Sequence, residues 1–269
     1  MKIIGIDIHP GKNSTLFDGE KYDDLSSSKL KEFLLPIEED NDQRILICCD
    51  APLTGPRDEI QEIRYKNSSN SLTKRDIEYF FTNNFGFNVN VKDTNEKKFK
   101  GISVGNYSSL PHWTITKRLF GLPIMGKYCK KELPFKHIHS EVEIVNTINN
   151  YIVEVHPGLA IWVWLNKKWD EDYNWQYKGE KSTLFQIKED LNHLLFEEIK
   201  VNSSLKPKFE EIDDDDKLDS FIAWLLGYLW LRDSRGLVNV IGNQETGSFL
   251  LPAMDQLKTS FENFIQNRK

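Results

Sequence analysis

The chain is poor in cysteine, with three among 269 residues. Cys48 and Cys49 are adjacent inside an apolar run and Cys129 stands alone, so the sequence has no metal-site cysteine spacing. Paired small residues within a strand-like run behave as core, and reduced thiols point to a cytoplasmic compartment. No apolar run approaches the roughly 18 residues that a membrane span needs. The N-terminus runs directly into a strand-like segment, with neither the apolar region nor the cleavage site of a secretory signal. An internal repeat and the strictly alternating strand–helix pattern are also missing. Glycine-rich phosphate loops are absent after the strands, where only His9-Pro-Gly-Lys12 offers a turn of that kind. With 39% hydrophobic and 12% aromatic residues, what remains is a globular chain long enough for a substantial core. It reads as a single domain over residues 1–269.

An excess of positive charge is missing too. The 35 basic and 41 acidic residues give a net charge of −6, which for the whole chain speaks against nucleic acid. The distribution says otherwise. Residues 97–136 hold nine basic side chains, Lys117 and Arg118 among them, against the single acid Glu132; this local +8 leaves −14 for the rest. Phe99, Tyr107, Trp113, Phe120 and Tyr128 interleave the segment. A basic patch attracts phosphates whatever the total charge, and aromatics stack on unpaired bases. The same composition suits a solvated, lysine-rich insertion whose aromatics pack inward. Residues 54–148 have the irregular pattern of such a basic insertion.

Short apolar runs at residues 2–7, 44–50 and 151–155 have the continuous character of strands buried on both faces. Residues 14–17 and 20–22 flank Asp18-Gly19, a dipeptide that favours a two-residue type I′ hairpin, so with the first strand they predict an antiparallel meander. Ser26 to Ser28 can cap a helix over residues 29–39, with Leu30, Phe33 and Leu34 on one face. Further helices are predicted over residues 58–65 and 73–81, from residue 160 to 165, and over 182–196, 217–231 and 255–266. Two short strands follow at 238–241 and 248–251. Strand-strand-strand-helix-strand is a mixed α/β opening.

Acids sit at the ends of these runs. Asp7 closes Lys2-Ile-Ile-Gly-Ile6, Asp50 closes Ile45-Leu-Ile-Cys-Cys49, and Glu154 lies inside Tyr151-Ile-Val-Glu-Val155. Asp216 and Asp219 stand about one helical turn apart and share a helix face. An acid at the C-terminal end of a sheet strand points into the crevice where open α/β sheets bind ligands. Two carboxylates on one face repel unless a cation or proton lies between them, and hard divalent ions take oxygen ligands. The run Asp213 to Asp216 equally suits a helix N-terminus, which the dipole favours; that accounts for the run but not for Asp219. Lys12 is placed to approach a phosphate or to be solvated. His156 is placed to relay a proton or to pack beside Pro157. Arg75 and Glu78 have the spacing of an i,i+3 pair. Trp162, Trp164, Trp169 and Trp175 have packing as their default role.

Gly5-Ile-Asp7, Cys49-Asp-Ala-Pro-Leu53, Val153-Glu-Val-His-Pro157 and Asp215-Asp-Lys-Leu-Asp-Ser220 occur in that order, followed by Ile241-Gly242, Gly247 and Leu251-Pro252. The series resembles the predicted RNase H-like nuclease family of the RNase H-like superfamily. The likeness spans the chain ends and the strands and leaves residues 54–148 aside. It implies an α/β fold: a mixed five-stranded sheet of order 3-2-1-4-5 with strand 2 antiparallel, flanked by helices, with the insertion between strands 4 and 5. It also implies a metal-dependent phosphodiester hydrolase, a nuclease holding two Mg²⁺ or Mn²⁺ ions, with Asp7, Asp50, Glu154, Asp216 and Asp219 as its catalytic acids. Asp7 and Asp50 match the strand acids and Asp216 and Asp219 the paired helix acids. These four are the expected metal ligands, with Asp7 bridging both ions, while Glu154 is typical of this family. Lys12, Lys117, Arg118 and His156 are the expected substrate contacts, and DNA or RNA the expected partner. Two other functions stay open. One is a non-catalytic module that binds nucleic acid or protein on this fold. The other is an actin-like or sugar-kinase-type phosphotransferase, which shares the sheet and an early Gly-x-Asp strand but needs glycine-rich phosphate loops.

Overall fold

The structure, a computed structural model, describes residues 1–9, 11–39, 44–54, 75–85, 135–140, 149–165, 173–233 and 235–268. Strands β1 (Lys2–Asp7), β2 (Ser14–Phe17) and β3 (Tyr22–Leu25) form an antiparallel meander. On its other side β1 pairs in parallel with β4 (Ile45–Asp50). Two further parallel strands, β5 (Lys136–Ile138) and β6 (Tyr151–Glu154), complete a mixed sheet of order β3-β2-β1-β4-β6-β5.

The sheet thus has six strands where five were expected. The order 3-2-1-4 stands, β6 takes the predicted fifth place, and the insertion contributes β5 as an added edge. Its sequence, Lys136-His-Ile138, carries one apolar residue, too little for a period-2 pattern. The hairpin also differs from expectation. β3 starts at Tyr22, and Asp18 accepts backbone N–H bonds from Glu20 and Lys21 at 3.1 Å each. This capping of the turn by the Asp18 carboxylate lengthens the connection to residues 18–21, with Gly19 at φ +97°.

Both sheet faces are buried, as continuous apolar strands require. Ile3, Leu46, Cys48 and Val153 enter one core, and Ile4, Ile6, Ile47, Cys49 and Ile152 enter the other. Cys48 and Cys49 are both free thiols in these cores. Helix α1 (Ser27–Glu39) covers the second core through Leu30 and Leu34. The remaining described helices are α2 (Asp76–Phe85), α3 (Pro157–Leu165), α4 (Lys181–His193, continued by a π turn over Leu194–Glu198), α5 (Lys206–Glu210), α6 (Asp215–Arg232) and α7 (Asp255–Gln266). α3 begins at Pro157, before the predicted residue 160, because proline is well suited to the first helical position. Residues 58–65, 73 and 74 lie outside the described residues. A hairpin of β7 (Val238–Asn243) and β8 (Gly247–Pro252) forms a second sheet and meets the end of β6 through a Val155–Leu250 bridge. Trp162 and Trp175 are core residues; Trp169 lies outside the described residues. Among the described residues no helix is long and apolar enough to cross a membrane.

Helix α6 lies across β1, β2 and β4. Two glycines permit this approach. A Cβ on Gly5 would lie 2.1 Å from the carbonyl oxygen of Ser220 and 2.4 Å from Trp224 N, and one on Gly227 would lie 2.4 Å from Cys48 Sγ. At Gly5 strand and helix touch backbone to backbone, and at Gly227 the helix backbone rests on the Cys48 side chain, packing that only a missing side chain allows.

Candidate metal centre

Asp7 and Asp50 end neighbouring parallel strands and are direct register partners. Side chains opposite each other in a sheet share a face, so the two carboxylates project together on the side covered by α6. The close contact at Gly5 brings down the first turns of that helix, with Asp219 immediately before Ser220. Asp7, Asp50 and Asp219 are 3%, 8% and 1% exposed, and three of their oxygens, one from each, lie within 4.8 Å of one another.

Asp7 belongs to a second group as well. Its Oδ2 lies 3.1 Å from His9 Nε2, and the same nitrogen lies 3.1 Å from Asp216 Oδ1. Asp7, His9 and Asp216 again present three donor atoms within 4.8 Å. His9 is held in place by its own backbone N–H, which donates to Ser14 Oγ at 3.2 Å. Lys12 Nζ donates to the other oxygen of Asp216 at 2.5 Å.

The rest of the acidic run is used for the helix end. Asp214 accepts the backbone N–H of Lys217 at 2.7 Å as the N-cap of α6, and Asp213 pairs with the Lys217 ammonium at 2.6 Å. Asp216 and Asp219 are thereby left to the centre.

A loop closes the other side. Tyr177 donates its hydroxyl to Asp219 Oδ1 at 2.6 Å, and Lys178 Nζ lies 2.6 Å from Asp219 Oδ2. The loop is pinned by buried Trp175, by Tyr173 O–H donating to Asp190 at 2.6 Å, and by Asn174 donating to Thr183 at 2.8 Å. Gly179 at φ +75° turns the chain back towards α4. Half of the Lys178 side chain is open to solvent, yet its ammonium is turned in among the carboxylates.

Four carboxylates thus meet three cationic side chains, His9, Lys12 and Lys178. Burial would lower the His9 imidazole, but its bonds to Asp216 and Asp7 outweigh this and raise it to about 9, so it is protonated at neutral pH. Burial raises the Asp50 carboxyl well above its usual range; Lys178 opposes this and Asp7 and Asp219 add repulsion. Burial likewise pushes Asp219 up to about 6, against the pull of Lys178. For Asp216 burial acts upwards, but His9 and Lys12 win and hold it well below the carboxylate range.

Divalent cations fit this donor set. Asp50 Oδ1 is buried and has no hydrogen-bond partner, and an acceptor in that state wants a cation or a proton. Carboxylates are the ligand type of Mg²⁺ and Mn²⁺, so the fit rests on the four acids; the His9 imidazole adds a donor only when it is neutral.

Glu154 is not part of either group. Its register partner is Cys49, not Asp50, so strand alternation starts its side chain on the opposite face of the sheet. There it accepts from the backbone N–H of Leu53 and from Arg75 Nη1, both at 2.8 Å, and pairs with Arg75 Nη2. Arg75 is also paired with Glu78 and donates to Thr54 Oγ1 at 2.8 Å. His156 is the residue before α3: its carbonyl accepts from Ala160 and its Nδ1 accepts from the Leu159 backbone N–H. Phe249 meets its ring edge-on at 5.6 Å. Lys117 and Arg118, with nearly all of the basic segment, lie outside the described residues.

His9, Tyr177 and Lys178 are the members that the sequence motifs miss. For His9 a signal exists, since residues i and i+2 of an extended segment share a face and Asp7-Ile-His9 continues β1. The loop of Tyr177 and Lys178 carries no periodicity. No family model, curated protein or solved structure matches this chain.

Proposed function

We propose that the protein is a divalent-metal-dependent phosphodiester hydrolase, a nuclease of RNase H-like architecture. The observation that carries this is the sharing of Asp7 between two donor groups, Asp7–Asp50–Asp219 and Asp7–His9–Asp216. Two adjacent cation positions joined by one carboxylate are what two-ion phosphoryl chemistry uses. Asp7, Asp50 and Asp219 would hold one Mg²⁺ or Mn²⁺, and Asp7 and Asp216 the other, with His9 joining them as a ligand only on giving up the proton it shares with the two acids. Such ions supply Lewis acidity towards a phosphoryl oxygen and lower the pKa of water.

The chain's own residues do the rest. β1 and β4 fix two carboxylates on rigid strands, and Tyr177 orients Asp219 by its hydroxyl. Lys12, half-exposed at the rim, is the described cation from which a phosphate would take a contact, while the basic segment supplies the long-range attraction for nucleic acid. The chain order of the motifs supports the RNase H-like assignment, as does the 3-2-1-4 start of the sheet.

A second function is favoured by a different observation. His9, Lys12 and Lys178 already neutralise most of the acids, as expected if the cluster were a salt-bridge hub in a non-catalytic binding module. Calorimetric titration with Mn²⁺ and Mg²⁺, beside cleavage of single- and double-stranded DNA and RNA, separates the two. For the nuclease, wild type binds ions and cleaves, and Asp7→Asn loses both. Absence of ion uptake and cleavage in both proteins would assign the acids to structure and leave the binding module.

A further inference from the structure

Among the described residues two cationic side chains reach the fully buried group of acids: His9 meets it at Asp7, and Lys178 at Asp219. The Lys178 ammonium sits 2.6 Å from Asp219 Oδ2, and its charge acts on Asp219, Asp7 and Asp50 together. These are the three residues whose oxygens converge within 4.8 Å. Beside them Asp50 Oδ1 stays buried and without a hydrogen bond, on a side chain only 8% exposed. An ammonium with a hydrogen-bonding reach of about 2.8 Å satisfies only part of what this cradle offers. A divalent ion draws several oxygens to it at once.

The lysine is also free to leave. Its side chain is 50% exposed, while its neighbours are anchored: Tyr177 is buried and bonded to Asp219, and Glu180 N donates to Tyr177 O at 3.2 Å. Movement of the ammonium therefore needs rotation about side-chain bonds and no unfolding of the loop.

We infer that Lys178 and a divalent cation are alternative occupants of the cradle formed by Asp7, Asp50 and Asp219, so that metal entry expels the ammonium to the mouth of the site. This rests on the metal centre proposed above. Without metal, the lysine at Asp219, together with His9 at Asp7, offsets the repulsion among the three acids. With metal, it stays tethered at the rim, where an anionic substrate group approaches.

Lysine acetylation by an N-hydroxysuccinimide ester, read peptide by peptide in the mass spectrometer, tests the exchange on the wild-type protein. Exposed Lys29 serves as the internal standard. Without metal, Lys178 is expected to react about tenfold more slowly than Lys29, as a charge-assisted contact protects it. Saturating Mn²⁺, with binding followed by calorimetry, is expected to bring its rate to that of Lys29. Asp219→Asn is expected to release Lys178 without metal. Mn²⁺ binding that leaves Lys178 protected would overturn the exchange and keep the metal centre. Uptake of Mn²⁺ by Lys178→Met but not by wild type would still support shared occupancy, with the lysine as the stronger competitor. If neither protein takes up Mn²⁺, the metal centre fails and the exchange fails with it.

Discussion

A Cβ on Gly5 would lie 2.1 Å from the carbonyl oxygen of Ser220, so β1 and α6 meet backbone to backbone. Asp7 follows Gly5 by two residues on the same face of the strand, and Asp219 precedes Ser220 on the helix. The spacing of the carboxylates is thus set by this contact. Gly5→Ala must push the helix away from the strand. Overpacking of this kind costs about 3 kcal/mol, and a urea titration should show it. Mn²⁺ affinity should fall along with stability. Gly11→Ala is the control, because a Cβ there meets nothing within 4 Å; it should leave both unchanged. An unaltered Gly5→Ala protein would mean that the centre does not depend on this approach.

Asp50 is a buried acid raised by desolvation and by the neighbouring Asp7 and Asp219. Buried acids that repel one another are often sites where substitution stabilises the fold. Asp50→Asn removes one of the repelling charges and should raise the stability of the metal-free protein by about 1–2 kcal/mol. On the proposed centre Mn²⁺ should raise the melting temperature of wild type by binding the native state, and Asp50→Asn should abolish that rise. A variant that is less stable without Mn²⁺ and equally stabilised by it would place Asp50 outside the centre.

Tyr177 makes the 2.6 Å bond that sets the rotamer of Asp219. Tyr177→Phe keeps the ring in its buried place and removes a donor to a charged acceptor, a loss of about 1.5–3 kcal/mol. Orienting partners of metal ligands also affect affinity by about 10- to 100-fold, so Mn²⁺ binding should weaken by that order in a calorimetric titration. Unchanged affinity would reduce Tyr177 to a packing residue.

Much of this arrangement is legible in the chain. Runs such as Ile45-Leu-Ile-Cys-Cys49 announce buried strands, and an acid closing such a run announces a position at the C-terminal end of a strand, beside the crevice. The spacing of Asp216 and Asp219 announces one helix face. Register does not show in sequence: Asp7 and Asp50 are level while Glu154 is level with Cys49, and one residue of offset moves a side chain through the sheet. Position in a run therefore groups Glu154 with the aspartates, whereas the structure gives it to Arg75. His9 is hidden by the turn signal of Pro10 and Gly11. Lys178 is hidden because a loop residue has no pattern, only neighbours that tertiary contacts choose.

Arg75, Glu78 and Glu154 are fully buried, with one guanidinium between two carboxylates. Burial pushes the Glu154 carboxyl from 4.5 up to about 7; Arg75 pulls it back and Glu78 adds repulsion. The folded state therefore binds this proton more tightly than the unfolded chain does. Its stabilising contribution is fully present below pH 4.5 and is lost as pH rises through 7, a change on the order of 3 kcal/mol. Glu154→Gln cannot titrate. Whatever constant offset the amide introduces, wild type should lose stability relative to this variant between pH 4.5 and 7, and the difference should level off above 7. Urea midpoints across that range measure it, and parallel curves would sink the assignment. Arg75→Met takes the guanidinium away from both carboxylates and should cost about 3–5 kcal/mol at neutral pH. Because Glu154 starts on the other face of the sheet from Asp7 and Asp50, the glutamine variant should bind Mn²⁺ as wild type does. Loss of Mn²⁺ by a folded Glu154→Gln protein would instead return this residue to the metal centre.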